Sequence, residues 1–520
     1  MATVTTNVLT EPLPLVLPST EKTVLKSQKH LVSPTVYNPL PTEVPPPITP
    51  LAGNIGERLV ICVIGLPYRG KTFTATRLQR YLNFFHGADC RLFDVCTYMQ
   101  HSGASEYENQ EKNALKLKSD LGDFLQVDET YSQNMKSADD QESLKKNVDS
   151  GRNAIIFSSN SYQGFSEKWS GTGKERRRWI YDQLEDMGQS SKSKFRAKLI
   201  FVEIICTDTL VVDQNLSLKM FASGSTGNIS DVLEKAEIEK RLLQYSRKYV
   251  TLQADGSEDD LCYIKLINYG EKVVTNKMRG YLPMRVVQFL SNLHTKKHTI
   301  YITRHGQSEY NLVGKLGGNP PLTEAGKEYA RRLAKFAEEN VCKDDAGNVR
   351  RARLWTSSLQ RTILTAEHIP HPIVCDGWQQ MATRVYRNLD EIFAGECEGL
   401  TYAEIEKLHG SEASLRKMDK IGYRYPRGES YFDLIARLDP LVHELESYEE
   451  PVMVISHQAV MRILYSYLVG IDRERAPKLE IPLHTVVKIT YDAYNECGFT
   501  EERFYLGPEV NKALDAQKNL

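Results

Sequence analysis

Apolar residues along this chain fall into two kinds of run. Leu59–Ile64, Ala154–Phe157, Leu199–Ile205, Thr299–Thr303, Arg353–Thr356 and Val452–Ile455 are short, nearly continuous runs, the pattern of strands buried on both faces of a parallel sheet. Other segments repeat apolar positions at helical spacing: Phe73, Leu78, Leu82 and Phe85, then Glu324–Glu339 and Tyr431–Leu445. Strands alternate with helices twice over, which predicts two α/β domains joined near Leu293–Lys297. Ahead of them, ten of the 22 prolines fall within residues 1–50, a density that allows neither helix nor central strand. That stretch is expected to be a disordered or extended arm.

Composition narrows the picture. A length of 520 residues exceeds one ordinary core and fits two or three units. Sixty-six Lys+Arg against 67 Asp+Glu gives a net charge of -1, so no global charge favours nucleic acid or membrane as partner. The nine cysteines are dispersed with no CxxC pair, which argues against a disulfide framework and structural zinc and for a cytoplasmic protein. No stretch approaches the length of an apolar membrane span, and the first residues lack the basic start of a signal peptide.

Two places carry chemistry. Gly65-Leu66-Pro67-Tyr68-Arg69-Gly70-Lys71-Thr72 follows a strand and opens a helix, the setting of a phosphate-cradling P-loop. There Gly65 and Gly70 let backbone N–H groups face a phosphate, Lys71 reaches the β/γ oxygens of ATP, and Thr72 holds Mg²⁺. Phosphoryl transfer also needs a carboxylate at a neighbouring strand end. The strand ending Phe157-Ser158-Ser159-Asn160 offers none, leaving Asp94 or Asp208 as substitutes.

The second place has two histidines at strand ends. Arg304-His305-Gly306-Gln307-Ser308 follows 299–303, and His457 follows Ile455 and Ser456. Carboxyl-terminal ends of parallel strands share one edge of a sheet, so both imidazoles can meet at one phosphate. A neutral His305 held in one tautomer is a nucleophile towards phosphorus. Arg304, Arg361 and His457 are candidates to stabilise the transferring group. Glu391 is the leading candidate to protonate the leaving oxygen, with Glu396 and Glu398 as alternatives. No metal is expected at this site.

These motifs, in this order from about Leu59 to Leu506, resemble the bifunctional 6-phosphofructo-2-kinase/fructose-2,6-bisphosphatase family. The resemblance implies an N-terminal P-loop kinase-like parallel sheet and a C-terminal histidine-phosphatase sheet of phosphoglycerate-mutase type. It divides the chain into an arm over 1–55, a kinase-like domain over 56–296, a phosphatase domain over 297–507 and a polar tail over 508–520. It places the nucleophile on His305, phosphate contacts on Arg304, Arg361 and Asn311, the proton donor on Glu391 and the second histidine on His457. Sugar-bisphosphate contacts fall on Tyr402, Arg416, Lys420, Tyr431, Gln458 and Arg462. It also implies a homodimer through the kinase-like domain.

Three departures stand out. Gln307 replaces a Glu after Arg-His-Gly. Met99 and Gln100 stand where the family has paired arginines, and Ser158 where it has its catalytic Asp. The expectation is therefore hydrolysis of fructose 2,6-bisphosphate to fructose 6-phosphate, with kinase activity weak or lost. The alternatives are a fully bifunctional enzyme acting on ATP and fructose 6-phosphate as well, another histidine phosphatase such as a phosphoglycerate mutase, or a nucleotide-sensing scaffold with a phosphatase domain.

Overall fold

The computed structural model describes residues 58–98, 106–125, 152–159, 168–190, 197–222, 229–492 and 498–507. The proline-rich arm, Met99, Gln100 and Asn160 lie outside the described residues.

The first half is built on β1 (Arg58–Ile64), α1 (Lys71–His86), β2 (Asp89–Asp94), α2 (Glu106–Leu125), β3 (Arg152–Phe157), α3 (Lys174–Ser190), β4 (Ala197–Ile205), α4 (Thr209–Ala222), α5 (Ile229–Lys248), β5 (Tyr263–Ile267) and β6 (Lys272–Asn276). The sheet order is β2-β3-β1-β4-β5-β6. β1 is parallel to both β3 and β4, so its side chains are covered on both faces, and every residue from Leu59 to Ile64 is buried. That burial is what the unbroken apolar run encodes. Arg177, part of a polar run in sequence, is fully buried on α3, where its Nε and Nη2 donate to Glu258 at 2.7 and 2.9 Å. A charge so placed is tolerated because it is paired.

After α6 (Tyr281–Asn292) the second half follows: β7 (His298–Arg304), α7 (Glu309–Val313), α8 (Glu324–Phe336), β8 (Arg353–Thr356), α9 (Gln360–Ala366), β9 (Ile373–Val374), β10 (Trp378–Gln379), β11 (Thr383–Val385), α10 (Tyr402–Leu408), α11 (Gly410–Met418), α12 (Tyr431–Glu446), β12 (Val452–Ser456), α13 (Gln458–Val469), β13 (Thr485–Tyr491) and β14 (Phe499–Tyr505). Its sheet order is β11-β8-β12-β7-β13-β14.

The α/β class and both parallel cores match the sequence reading. The first sheet is parallel as expected from β2 to β5, and β6 adds an antiparallel edge to it. In the second sheet β13 runs antiparallel to β7, and β14 to β13. β6 and β14 are half-covered edge strands with polar residues among the apolar ones, so they leave no continuous apolar run to read.

The two halves share a core. One cluster of buried side chains runs from Leu59, Tyr81 and Phe85 through Phe289 to Leu434, Leu438 and Leu468. The helix that begins at the P-loop therefore packs against α12 and α13. Arg77 pairs with Glu446, both buried, and Tyr81 donates to Asp439 at 2.9 Å. His86 and His443 lie 2.9 and 3.0 Å from the same Tyr81 hydroxyl. Among the described residues no helix is long and apolar enough to cross a membrane.

Candidate active site

The two histidines meet because their strands are neighbours in register. β12 is parallel to β7 with Ser456 opposite Arg304, so each histidine sits one residue beyond equivalent points. His305 N–H donates to Ser456 O at 2.9 Å, and the ring centroids are 5.1 Å apart. Gly306 follows because the strand end passes directly over the start of α8. A Cβ at Gly306 would lie 2.5 Å from Gly326 O, so no larger residue fits.

The hydrogen bonds define the tautomer of His305. Its Nδ1 is 2.7 Å from Gly306 O, a pure acceptor, so the proton sits on Nδ1 and the Nε2 lone pair is free. Burial, reinforced by Arg361 and Arg304, pushes its pKa well below the usual histidine value and keeps the ring neutral. Arg304 Nη1 donates to Ile481 O at 2.8 Å, whereas its buried Nε has no partner among the described residues. Burial lowers Arg304 to about 10, which still leaves it cationic at neutral pH. A buried, unpaired guanidinium N–H beside the nucleophile is a ready donor to a phosphate oxygen.

Glu391 rests on the first turn of α13. Its carboxylate accepts from Ala459 N and Ile392 N at 3.1 and 3.0 Å and from Gln458 N at 3.2 Å. Gln458 N and Ala459 N are orphan N–H groups of the first turn of α13, which the carboxylate satisfies. Arg437 on α12 holds the same segment by its main chain, donating to Asp390 O at 2.6 Å and Glu391 O at 3.3 Å. Arg437 was not visible as a functional residue in the sequence, since it lies inside an amphipathic helix far from the motif it braces.

Eleven of the twelve expected phosphatase-site residues line one cavity of about 150 Å³: Arg304, His305, Asn311, Arg361, Glu391, Tyr402, Arg416, Lys420, Tyr431, Gln458 and Arg462. The same cavity holds a second set of cationic groups, Arg416, Lys420 and Arg462. Arg416 lies over the rings of Tyr402 and Tyr425 at 5.3 and 5.7 Å. Arg462 donates to Tyr431 Oη at 3.0 Å. Burial, with Arg462, Arg416 and Lys478 nearby, pushes Lys420 down to about 8. Asn311 turns its Oδ1 to Ser308 N and Oγ, both at 3.0 Å, closing the start of α7. Lys315, Tyr423 and Tyr425 also line the cavity. They carry no strand-end motif that would have singled them out.

The twelfth residue, His457, is fully buried behind the wall. Its Nδ1 accepts from Arg361 Nε at 3.1 Å and its Nε2 is 2.7 Å from Ser357 Oγ. Gln307 also stands apart. Its Oε1 accepts from Thr323 Oγ1 at 3.0 Å at the start of α8, and it does not line the cavity.

In the first half, Gly65 and Gly70 both have positive φ, 139° and 84°. A Cβ on Gly65 would meet Ile204 O at 2.6 Å. The loop is thus built where only glycine fits, as a phosphate cradle requires. Lys71 is buried with Nζ donating to Leu66 O at 2.9 Å. Thr72 Oγ1 donates to Ser159 O at 2.9 Å, and Ser159 N donates in turn to Asp94 Oδ1 at 2.9 Å. These residues fit a Mg-nucleotide in kind, with a hydroxyl and a carboxylate two hydrogen bonds apart beside a glycine loop. Asp208 instead accepts from Leu210 N at 2.9 Å at the head of α4. A separate basic pocket is lined by Lys174, Arg176, Tyr245 and Lys248.

Paired strand-end histidines with convergent arginines, on a parallel-cored sheet, define a histidine-phosphatase class of site beside a P-loop fold. The sequence matches the histidine phosphatase superfamily (branch 1) over residues 300–499 and 6-phosphofructo-2-kinase over residues 51–297. It is 35% identical to 6-phosphofructo-2-kinase/fructose-2,6-bisphosphatase 3 of Rattus norvegicus over 86% of this chain and 72% of that protein. It is also 35% identical to the Caenorhabditis elegans 6-phosphofructo-2-kinase/fructose-2,6-bisphosphatase, over 84% and 87%. Among solved structures, the alpha-ribazole phosphatase from Shigella flexneri covers 41% of the chain at 22% identity, with a TM-score of 0.33. The chain belongs to the 6-phosphofructo-2-kinase/fructose-2,6-bisphosphatase family.

Proposed function

We propose that the second half hydrolyses fructose 2,6-bisphosphate to fructose 6-phosphate and inorganic phosphate through a phosphohistidine on His305. The observation that carries this reading is one cavity lined by the nucleophile, Arg304 and Arg361 together with a second cationic set, Arg416, Lys420 and Arg462. Such a cavity suits a small ligand with two phosphates. A single phosphate would leave half of those charges unanswered.

The chemistry follows from the geometry. His305 Nε2 attacks the 2-phosphate while Nδ1–H stays on Gly306 O, so the ring can take positive charge without turning. The P–O bond to the sugar breaks, and the departing oxygen takes a proton from the acid form of Glu391. Arg304 and Arg361 hold the equatorial oxygens, and a single stabiliser of this kind is worth about 10²–10³ in rate. The Glu391 carboxylate then removes a proton from water as it attacks phosphorus. The P–N bond breaks, phosphate leaves and His305 returns to its neutral form. No step needs a metal. The test is rapid quenching with substrate labelled in the 2-phosphate: acid-labile, base-stable label on His305 supports the mechanism. Its absence, together with full activity of His305→Ala, rejects it.

A second reading, favoured by Asp94, makes the chain bifunctional: the first half transfers phosphate from ATP to fructose 6-phosphate. The relatives bear bifunctional names, which supports it over the expectation of a lost kinase. Asp94 gives the P-loop edge a carboxylate on the strand next to Ser158, and the pocket with Lys174, Arg176 and Lys248 suits a sugar phosphate. ATP and Mg²⁺ at the P-loop, the division near residue 297, a cytoplasmic location and a homodimer through the first half belong to the same proposal. His305→Ala protein, which preserves any product, is incubated with ATP and fructose 6-phosphate. Accumulating fructose 2,6-bisphosphate that disappears in the Asp94→Asn double variant supports it. No product, with ATP still raising the melting temperature through Lys71, makes the first half a nucleotide-binding scaffold.

A further inference from the structure

We propose that Ser357 is a positioning residue of the phosphatase site, its hydroxyl acting through His457 to fix the guanidinium of Arg361. The inference rests on the reading above and deepens it.

The argument is an accounting of protons. Arg361 Nε–H donates to His457 Nδ1 at 3.1 Å, and arginine can only donate, so Nδ1 carries no proton. The neutral ring then bears its proton on Nε2, 2.7 Å from Ser357 Oγ, which accepts it. Ser357 Oγ also accepts from Leu359 N at 3.2 Å, which fills its two lone pairs. Its own proton therefore goes to Thr362 Oγ1 at 2.9 Å, and Thr362 passes its proton to Leu359 O at 2.8 Å. Thr362 has a second acceptor in Ser357 O at 3.1 Å, but every proton from Arg361 to Ser357 has one place, and the permanent donor at its head sets the direction. Ser357, Arg361, Thr362 and His457 are all buried, so no water competes.

Two consequences follow. His457 has both nitrogens committed, one to Ser357 and one to Arg361, so the ring links the hydroxyl to the guanidinium. Arg361 is tied at two points, Nε to His457 and Nη1 to Gly318 O at 2.8 Å, and two points define the plane of its fork. Without the Ser357 hydroxyl the Nε2–H loses its acceptor. The proton then prefers Nδ1, where it faces the Arg361 Nε–H donor to donor. The guanidinium keeps only its Gly318 tie and can swing about it.

Ser357→Ala is expected to lower kcat by on the order of 10- to 100-fold, the scale of a misplaced catalytic group. KM for the bisphosphate should stay within about threefold, since the second cationic group is untouched. Ser357→Thr, which keeps the hydroxyl, should recover most of the rate. Nitrogen-15 NMR of labelled histidines gives an independent readout in the wild-type protein, with His457→Gln assigning the signal. His457 should be neutral with Nε2 protonated at pH 7, and Ser357→Ala should move the proton to Nδ1. A wild-type His457 protonated on Nδ1 or on both nitrogens overturns the proposal, even if Ser357→Ala does not fold. So does Ser357→Ala with unchanged kcat on both the bisphosphate and an activated aryl phosphate, or a loss that Ser357→Thr fails to reverse. The tautomer is read without substrate, so a wrong bisphosphate assignment would show as absent turnover with the Nε2–H ring intact.

Discussion

The two candidate sites offer a phosphate different physical means of binding. At the P-loop the ligands are backbone N–H groups of a glycine loop, and few side chains are committed. At the histidine site the ligands are side chains, each locked by partners from other elements: Arg304 by Ile481, Arg361 by His457 and Gly318, Glu391 by the start of α13. A backbone cradle tolerates sequence change as long as its glycines stay. A side-chain cage fails when one support is removed, because its charges are buried and unsolvated. That contrast explains how the first half departs from family motifs at Ser158 yet keeps its loop, whereas the second keeps nearly every motif residue.

The sharpest way to break the comparison is His305→Ala. Turnover of fructose 2,6-bisphosphate should fall by on the order of 10⁴-fold or more, the scale of losing a nucleophile. ATP-induced stabilisation of the same protein, read by its melting temperature, should be unchanged. If both drop together, the sites are not separate.

Glu391→Gln should slow the sugar bisphosphate by about 10²–10³-fold, within the range of general acid catalysis. An activated aryl phosphate, which needs no leaving-group proton, should lose far less in its phosphorylation step, measured by stopped flow. Equal losses would move the acid role to Glu396 or Glu398.

The second cationic group predicts a pH effect on binding. Lys420, lowered to about 8, is charged at pH 7 and neutral at pH 9. KM should therefore rise as pH rises through 8, by about tenfold if one charged hydrogen bond of about 1.5 kcal/mol is lost. Lys420→Arg should flatten that rise. A KM that falls with pH would exclude Lys420 from the subsite.

The contact between the halves should be acid-sensitive. Burial lowers His86 and His298 to about 4, below the unfolded value of about 6.5. Between those values the unfolded chain binds more protons, so stability is full above pH 6.5 and declines as pH falls towards 4. The melting temperature should drop by several degrees over that window, and less in His86→Phe. A flat profile would mean the histidines are not buried as described.

The smallest effect is expected at Gln307. Its amide faces Thr323 rather than the cavity, so Gln307→Glu should change kcat by less than about threefold. A larger change would bring position 307 into the phosphate cage.

The sequence by itself determined the α/β class, the P-loop and the strand-end histidines, because each is local. Continuous apolar runs mark doubly covered strands, Gly65–Thr72 needs only its own neighbours, and Arg304–Gly306 reads directly off the end of β7. Motif resemblance also picked out Tyr402, Arg416, Lys420 and Tyr431, which line one cavity with His305. The antiparallel strands β6 and β14 were missed, since half-exposed strands carry no continuous apolar signal, and buried β13 was missed because Lys488 and its threonines interrupt the apolar run. Only the tertiary structure decided the proton positions. Nδ1 of His305 is protonated because Gly306 O lies there, and His457 is turned to Arg361 and Ser357 because β12, β8 and α9 bring them together. It alone showed that Asp94 reaches Ser159 across two strands, that Arg437 braces Glu391, and that α1 is packed into the phosphatase half. Apart from the His305–Gly306 bond, those facts depend on contacts between residues tens to hundreds of positions apart, and no periodicity along one chain encodes which distant side chain will supply a donor or take a proton.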